Sequence, residues 1–242
     1  MQKDLIKTRF KKSIKTYNDN ASVQKKMAKT LSEIIGNGKF DNILELGCGT
    51  GFLTEETVKN REYKNYYAVD FVEDCKGYLS DISTDIKFIC DDLENIDISK
   101  YKPNLVISNA AIQWLDDVPA FINKVMSEME PEGTFAFTIF GKDNFKELGE
   151  ISPQYLPLKY YSVEEIKNIL KNYPKKVIKE EKIKLKFNSP KDVLHHIKDT
   201  GVNGVKKVHW TKTDLINFEK IYTEIYGKNI TLTYHPIYIK IN

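Results

Sequence analysis

The stretch Asn42 to Leu53 reads NILELGCGTGFL, three glycines in five positions behind an apolar run that carries one acid. Glycines at a strand-to-helix turn adopt backbone conformations that other residues resist, and they let a ligand approach with no Cβ in the way. The spacing Gly47-Cys48-Gly49-Thr50-Gly51 departs from the GxGxxG dinucleotide fingerprint, and Phe52 stands where that fingerprint wants its last small residue. Glu45, two residues before the first glycine, would repel a pyrophosphate and suit a cation. These residues favour a nucleoside without phosphate that carries positive charge near the loop. S-adenosylmethionine, with its sulfonium and α-amine, fits that description. Taken alone, the glycines also suit a tight turn that holds no ligand.

Three further features fall at expected strand ends. Asp70 closes YYAVD about twenty residues past the loop, where an acid can accept from both ribose hydroxyls. In CDDLE, Asp92 is expected to accept from an adenine amine while the Leu93 backbone N–H serves a ring nitrogen. In SNAAIQW, Asn109, Gln113 and Trp114 are placed to wall the methionine and sulfonium end. Each acid alone reads more readily as a helix cap or a surface charge. Four features at four consecutive strand ends, in order, argue for one cofactor site. Cys48, Phe71 and Ala110, beside these positions, belong to the same expected site, and no metal is expected in it.

The elements that must position these residues alternate. Residues 20–36 carry Val23, Met27, Leu31 and Ile34 at helical spacing, and Gly36-Asn37-Gly38 stops that helix. NILELG reads as a buried strand and TGFLTEETVKN as the following helix. NYYAVD, IKFICDD, NLVISNA and GTFAFTIF read as four more strands, with a helix over DVPAFINKVMSEM. This rhythm predicts an α/β, doubly wound, mostly parallel sheet. Past about residue 140 it breaks. The stretch from 141 to 173, with prolines at 153 and 157, reads as helical and irregular. KIKLKF reads as a strand, SPKDVLHHIKDTGVNG and KTDLINFEKIYTEIYG as helices, and ITLTYHPIYIKI as one closing strand. Residues of about 141–170 and 190–230 are expected to cover the ligand end of a single 1–242 domain.

Composition bounds the alternatives. The chain has 242 residues, a formal net charge of +3 and 41% hydrophobic residues, a globular balance. No apolar run approaches the ~18 residues of a membrane span. The first twenty residues hold scattered charge and no apolar h-region, so a secretory signal is not expected and a cytoplasmic location is. Cys48, Cys75 and Cys90 show no CxxC pairing and read as reduced thiols. Arg9, in the N-terminal arm, and Arg61, between the first helix and second strand, are the two arginines. Base-specific nucleic-acid reading is therefore poorly equipped.

ELGCGTG resembles the first motif of class I methyltransferases. FKKSIKTYNDNASVQKKMA, SNAAIQWLDD, FKELGE, VLHHIKDTGVN and LTYHPIYIKI together resemble the malonyl-acyl-carrier-protein O-methyltransferases of biotin synthesis, over nearly the whole chain. The resemblance implies a class I, Rossmann-like, seven-stranded sheet with a helical cover. It also implies methyl transfer from S-adenosylmethionine, leaving S-adenosylhomocysteine, to the free carboxylate of a malonyl thioester. The thioester rides on an acidic acyl carrier protein, and the ester masks its charge for the elongation enzymes. No nucleic-acid or membrane partner follows.

An ionised carboxylate needs no general base, so positioning residues are expected rather than a proton-transfer residue. Tyr17 and Gln24 are the candidates to fold over the cofactor, and Tyr17 also to donate near the reacting carboxylate. That carboxylate still needs a partner in a dry pocket. Lys142, Lys146, His195 and His196 lie in the expected cover, with Lys142, Lys146 and His196 the candidate substrate contacts. Relatives often carry an arginine in the cover, and here none follows residue 61. A methyltransferase of another small carboxylic acid or metabolite, a non-catalytic S-adenosylmethionine-binding protein, and RNA methylation are the competing readings.

Overall fold

A computed structural model describes residues 3–156, 158, 160–201 and 211–242. The chain opens with two helices, α1 (Lys3–Asn20) and α2 (Ser22–Ile35). Strand and helix then alternate through β1 (Gly38–Leu46), α3 (Phe52–Asn60), β2 (Arg61–Asp70), α4 (Cys75–Ile82), β3 (Ile86–Cys90), β4 (Leu105–Asn109), α5 (Val118–Glu128) and β5 (Thr134–Phe140). The second half holds α6 (Lys146–Ile151), α7 (Val163–Ile169), β6 (Lys176–Glu180), β7 (Ile183–Lys186), α8 (Pro190–Asp199), α9 (Lys212–Tyr226), β8 (Thr231–Tyr234) and β9 (Pro236–Ile241).

Seven strands form one sheet in the order β3-β2-β1-β4-β5-β9-β6, while β7 and β8 make a separate antiparallel ribbon. Strands β1 to β5 are parallel, and β9 runs antiparallel between β5 and β6. The order reverses between β1 and β4, which opens a crevice at the C-terminal strand ends, where ligands of such sheets bind. Alternation along the strands sends side chains to both faces. Ile43, Leu105, Ile107 and Ala136 join one apolar cluster with α2 and α3, and Leu44, Leu46, Val106 and Phe135 join the other with α5.

Two expectations change, and the N-terminal arm takes a definite structure. ITLTYHPIYIKI is two strands in two sheets, because the chain crosses over at His235-Pro236. The residue before a proline is held extended, and the proline cannot donate to a ladder. His235 is buried there: its Nδ1 accepts from the Asp143 N–H (3.1 Å) and its carbonyl from the Gly141 N–H (2.7 Å). KIKLKF supplies β7 of the ribbon, outside the main sheet, and the edge strand β6 is hidden in sequence by its lysines and glutamate, as edge strands often are. The N-terminal arm is a helix whose Ile6, Phe10, Ile14 and Tyr17 recur every three or four residues. It packs along α8, with Thr16 Oγ1 donating to the Asp199 carbonyl at 3.2 Å.

The cover is tied down by polar contacts. Buried Glu147 of α6 accepts from Thr233 N–H (2.8 Å) and Thr233 Oγ1 (2.6 Å), fastening α6 to β8. Part of the expected cover, Val202 to Trp210 with Pro157 and Lys159, lies outside the described residues. No helix among the described residues is long and apolar enough to cross a membrane.

Candidate active site

The glycine turn is shaped by close packing at the end of β1. Gly47 has φ +74°, and a Cβ there would stand 2.3 Å from Ala111 Cβ, so only glycine lets the β1 and β4 loops approach this closely. The Gly47 and Cys48 N–H groups both donate to the Val69 carbonyl, at 2.8 and 3.0 Å. Gly49, at φ +53°, donates its N–H to Asp70 Oδ2 at 2.9 Å and has open space on its free face, with Phe10 Cζ 3.5 Å from a built Cβ. Gly51 starts α3 and faces Ile82 of α4, away from the crevice. Its expected ligand contact becomes a packing contact.

Above this turn lies a cavity enclosing about 1240 Å³ of open space, mouth included. It runs from Asp92 and Leu93, past β3, to Phe140 at the end of β5. Tyr17, Gln24, Glu45, Gly47, Cys48, Gly49, Asp70, Phe71, Asn109, Ala110, Gln113 and Trp114 all line it.

Three acids face this space. Asp70 is buried, and its Oδ1 accepts from the Val72 N–H at 2.9 Å while Oδ2 takes Gly49, so it stitches the turn to the end of β2. Burial pushes its carboxyl above the usual range, opposed by those backbone N–H groups. Glu45 Oε2 accepts from Thr54 Oγ1 and Tyr66 OH, both at 2.6 Å. Burial still raises Glu45 to about 7. Asp92 is half-buried, and Lys3 reaches it from α1 at 2.6 Å and also pairs with Glu94. Lys3 is the one basic side chain among the described residues of the lining. With that lysine already paired, the cavity is negative overall and suits a cationic ligand.

The wall at the end of β4 is held by a short network. Thr138 Oγ1 donates to Asn109 Oδ1 (2.8 Å) and accepts from the Ala110 N–H (2.9 Å), which holds Ala110 at φ +52°. Asn109 Nδ2 donates to the Gln24 carbonyl at 3.0 Å. Asn109 therefore pins α2 at the cavity, and its side chain is spoken for. Gln113 Nε2 donates to the Ala110 carbonyl at 2.6 Å, and its buried Oε1 has no donor among the described residues. The same holds for Gln24 Oε1.

Helix α1 forms the roof. Tyr17 stacks on Phe52 (centroids 5.8 Å apart) and meets Phe10 edge-on (5.4 Å). The unusual Phe52 is thus the seat for this helix. Thr50 Oγ1 donates to Asn18 Oδ1 at 2.6 Å, a second tie between roof and turn.

The candidate substrate contacts fare differently. Lys142 and His195 are exposed, Lys146 is half-buried, and none of them lines the cavity. His196 turns to the ribbon, where Nε2 shares a hydrogen bond with the buried Tyr234 hydroxyl at 2.8 Å and its ring packs on Phe187. Burial lowers its pKa, so it offers no cation. These three contacts are withdrawn: a helical face does not say which side of the cover looks inward. Arg61 is buried at the far end of the sheet, donating to Ser32 Oγ (3.0 Å) and the Ser32 carbonyl (2.6 Å). The cover instead sends Leu158, Tyr160, Thr200 and Gly201 to the cavity. Tyr160 sits just before the bridge between Tyr161 and Gly141, and among the described residues its buried hydroxyl has no acceptor. Among these, only the small step Thr200-Gly201 at a helix end carried a sequence signal, and it spoke of structure.

The donor set matches S-adenosylmethionine. Two buried carboxamide oxygens without donors can accept from an ammonium, and Glu45 and Asp70 can balance positive charge. Among the described residues no group of three or more His, Cys, Asp or Glu could hold a metal ion.

Residues 20–179 match the family model described as Methyltransferase domain. Over 237 residues the chain is 38% identical to a malonyl-acyl-carrier-protein O-methyltransferase of Calditerrivibrio nitroreducens, covering 96% of this chain and 94% of that one. It is 32% identical to the enzyme of the same name from Chlorobium luteolum, covering 98% and 94%. Among solved structures, a Bacillus halodurans C-125 protein considered a methyltransferase superposes with a TM-score of 0.63 at 11% identity, over 88% of this chain and 97% of that one, which speaks for the fold alone. By domain match and by near full-length identity, the chain is an O-methyltransferase and belongs to the malonyl-acyl-carrier-protein O-methyltransferase family.

Proposed function

We propose that the chain transfers a methyl group from S-adenosylmethionine to the free carboxylate of a malonyl thioester on an acyl carrier protein, as part of biotin synthesis. The carrying observation is the cavity at the switch point. Among the described residues three acids line it against one paired lysine, and Gln24 and Gln113 hold buried oxygens without donors. Relatives over nearly the whole length are named for the malonyl-carrier acceptor.

When bound, the cofactor supplies a methyl on sulfonium, and the C–S bond breaks with its electron pair going to sulfur as the carboxylate oxygen takes the methyl. The chain's task is positioning. Asp70, Asp92 and Leu93 are proposed to hold the nucleoside, and Gln24, Glu45 and Gln113 the amino-acid end. Glu94 already shares Lys3 with Asp92, so that lysine serves as a latch near the adenine end. Tyr17 closes the roof and keeps water from the reacting pair, where dry surroundings and near-attack geometry lower the barrier. The cover segments act as part of one catalytic domain. Surplus lysine suits an acidic carrier. A cytoplasmic setting belongs to the same proposal, since the three cysteines are free and Cys90 is exposed.

The test is labelled S-adenosylmethionine offered with malonyl-carrier protein, malonyl-CoA and free malonate side by side. Carrier-bound malonate is expected to accept best, with its advantage shrinking as salt rises. Equal or better transfer to free malonate would point instead to a small-acid methyltransferase.

Glu45 gives the reaction a pH signature. Its folded pKa of about 7 lies above its ordinary value, so the folded protein binds the extra proton between about 4.5 and 7. Its stabilising contribution is present below that window and is lost as pH rises through it. A cation beside Glu45 favours the ionised form, so cofactor affinity is expected to rise with pH up to about 7 and then level. At pH 6 it should be weaker than at pH 8 by up to about tenfold, the most one group a unit below its pKa can give. Calorimetry across pH should show this slope, and Glu45→Gln should flatten it.

A further inference from the structure

We propose that Tyr160 is the hydrogen-bond donor that receives the free carboxylate of the acyl acceptor. The inference rests on the methyl-transfer reading above and names the residue that reads the substrate's charge.

Tyr160 is 8% exposed and lines the cavity at the β5 end, opposite Asp92 and Leu93. The bridge between Tyr161 and Gly141 fixes its backbone beside that strand. Its hydroxyl is buried and, among the described residues, has no acceptor for its proton. Native proteins rarely leave a buried polar group unmatched, and doing so is destabilising, so such a group calls for a ligand. Asn144 Nδ2, the buried side-chain group that interacts with this hydroxyl, can only donate to it. It cannot consume the phenolic proton, which is left for an acceptor.

Two further donors line the cavity among the described residues, the Tyr17 hydroxyl of the roof and the Trp114 indole N–H. At this end Phe140 and Leu158 are apolar, and Thr200 Oγ1 is committed to the His196 and Ile197 carbonyls at 3.0 and 3.2 Å. Lys142, Lys146 and His196 stand outside the cavity. Burial keeps the Tyr160 phenol protonated, so it is a neutral donor. A neutral donor suits this chemistry. The carboxylate arrives with one negative charge, forms its O–CH3 bond while the sulfonium C–S bond breaks, and leaves as an uncharged ester. No proton moves, so the phenol keeps its own throughout. A guanidinium would hold the carboxylate as a tight ion pair and damp its nucleophilicity. A lone hydroxyl orients it and binds the ester product less well.

The test is Tyr160→Phe in the full chain. Its kcat/KM for malonyl-carrier protein is expected to fall about 10- to 100-fold, the loss of one hydrogen bond to a charged group. Affinity for S-adenosylhomocysteine should stay within about twofold, and Tm should hold or rise because an unmatched hydroxyl is gone. A second readout needs no turnover. Loaded with S-adenosylhomocysteine, the wild type should bind malonyl-pantetheine more tightly than its methyl ester, and Tyr160→Phe should lose that preference. An active wild type with an equally active Tyr160→Phe overturns the proposal alone, as does a preference that survives the substitution. A clear fall in Tm would show a structural partner for the hydroxyl and overturn it as well. A wild type that methylates no malonyl thioester defeats the functional reading, and this proposal with it.

Discussion

Gly49→Asp abolishes cofactor binding while the chain stays folded. The backbone at Gly49 has φ +53°, a region that aspartate enters at a modest penalty of about 1 kcal/mol. The built Cβ meets nothing closer than Phe10 Cζ at 3.5 Å, an ordinary contact. Folding therefore survives. Binding does not, because the new side chain occupies the cavity face of the turn and brings a second carboxylate beside Asp70. The Gly49 N–H is only 2.9 Å from Asp70 Oδ2, and two carboxylates about 5 Å apart in a partly buried site repel by about 3 kcal/mol. Together with the blocked approach, affinity for S-adenosylhomocysteine should fall at least about 100-fold. Gly49→Ala separates the terms, since it adds the backbone penalty without the charge, and it should lose far less. Calorimetry measures both, with circular dichroism to check the fold. Wild-type affinity in Gly49→Asp would remove the turn from the cofactor site.

Gly47→Ala acts on stability instead. The added Cβ would lie 2.3 Å from Ala111 Cβ, and the backbone is at φ +74°. Forcing the β1 and β4 loops apart costs about 1–3 kcal/mol and the left-handed conformation about 1–2 more. At ~2–4 °C per kcal/mol for a chain of this size, Tm should fall by about 4–20 °C. The double change Gly47→Ala with Ala111→Gly removes the clash and keeps the backbone penalty, so it should recover about half of the loss. An unchanged Tm in the single variant would mean the two loops are not packed as described.

The local features of the site were legible in the chain itself. The turn needs glycine for reasons of φ and close approach that act over five residues. The helix over 22–35 and the strands ending at Asp70 and Asn109 follow apolar periods visible in any short window. Helix α1 carried its period too, in Ile6, Phe10, Ile14 and Tyr17, but the lysines between them obscured it. Strand β6 was masked by charge because an edge strand buries little. The crossover at His235-Pro236 was hidden because one continuous run of strand-forming residues serves two sheets.

What the sequence determined by itself, then, is the alternating α/β scaffold, the glycine turn and the acids that follow successive strands. Together with the family likeness, these point to a methyl donor and a carboxylate acceptor. All but the likeness rest on backbone preference and side-chain period, which act within a few residues. The tertiary structure alone decided which groups share the cavity. It brought Lys3 to Asp92 across 89 positions, turned His196 toward Tyr234, and left the Tyr160 hydroxyl buried with no acceptor among the described residues. Those outcomes depend on how the cover packs over the sheet, and long-range packing leaves no period in the chain to read.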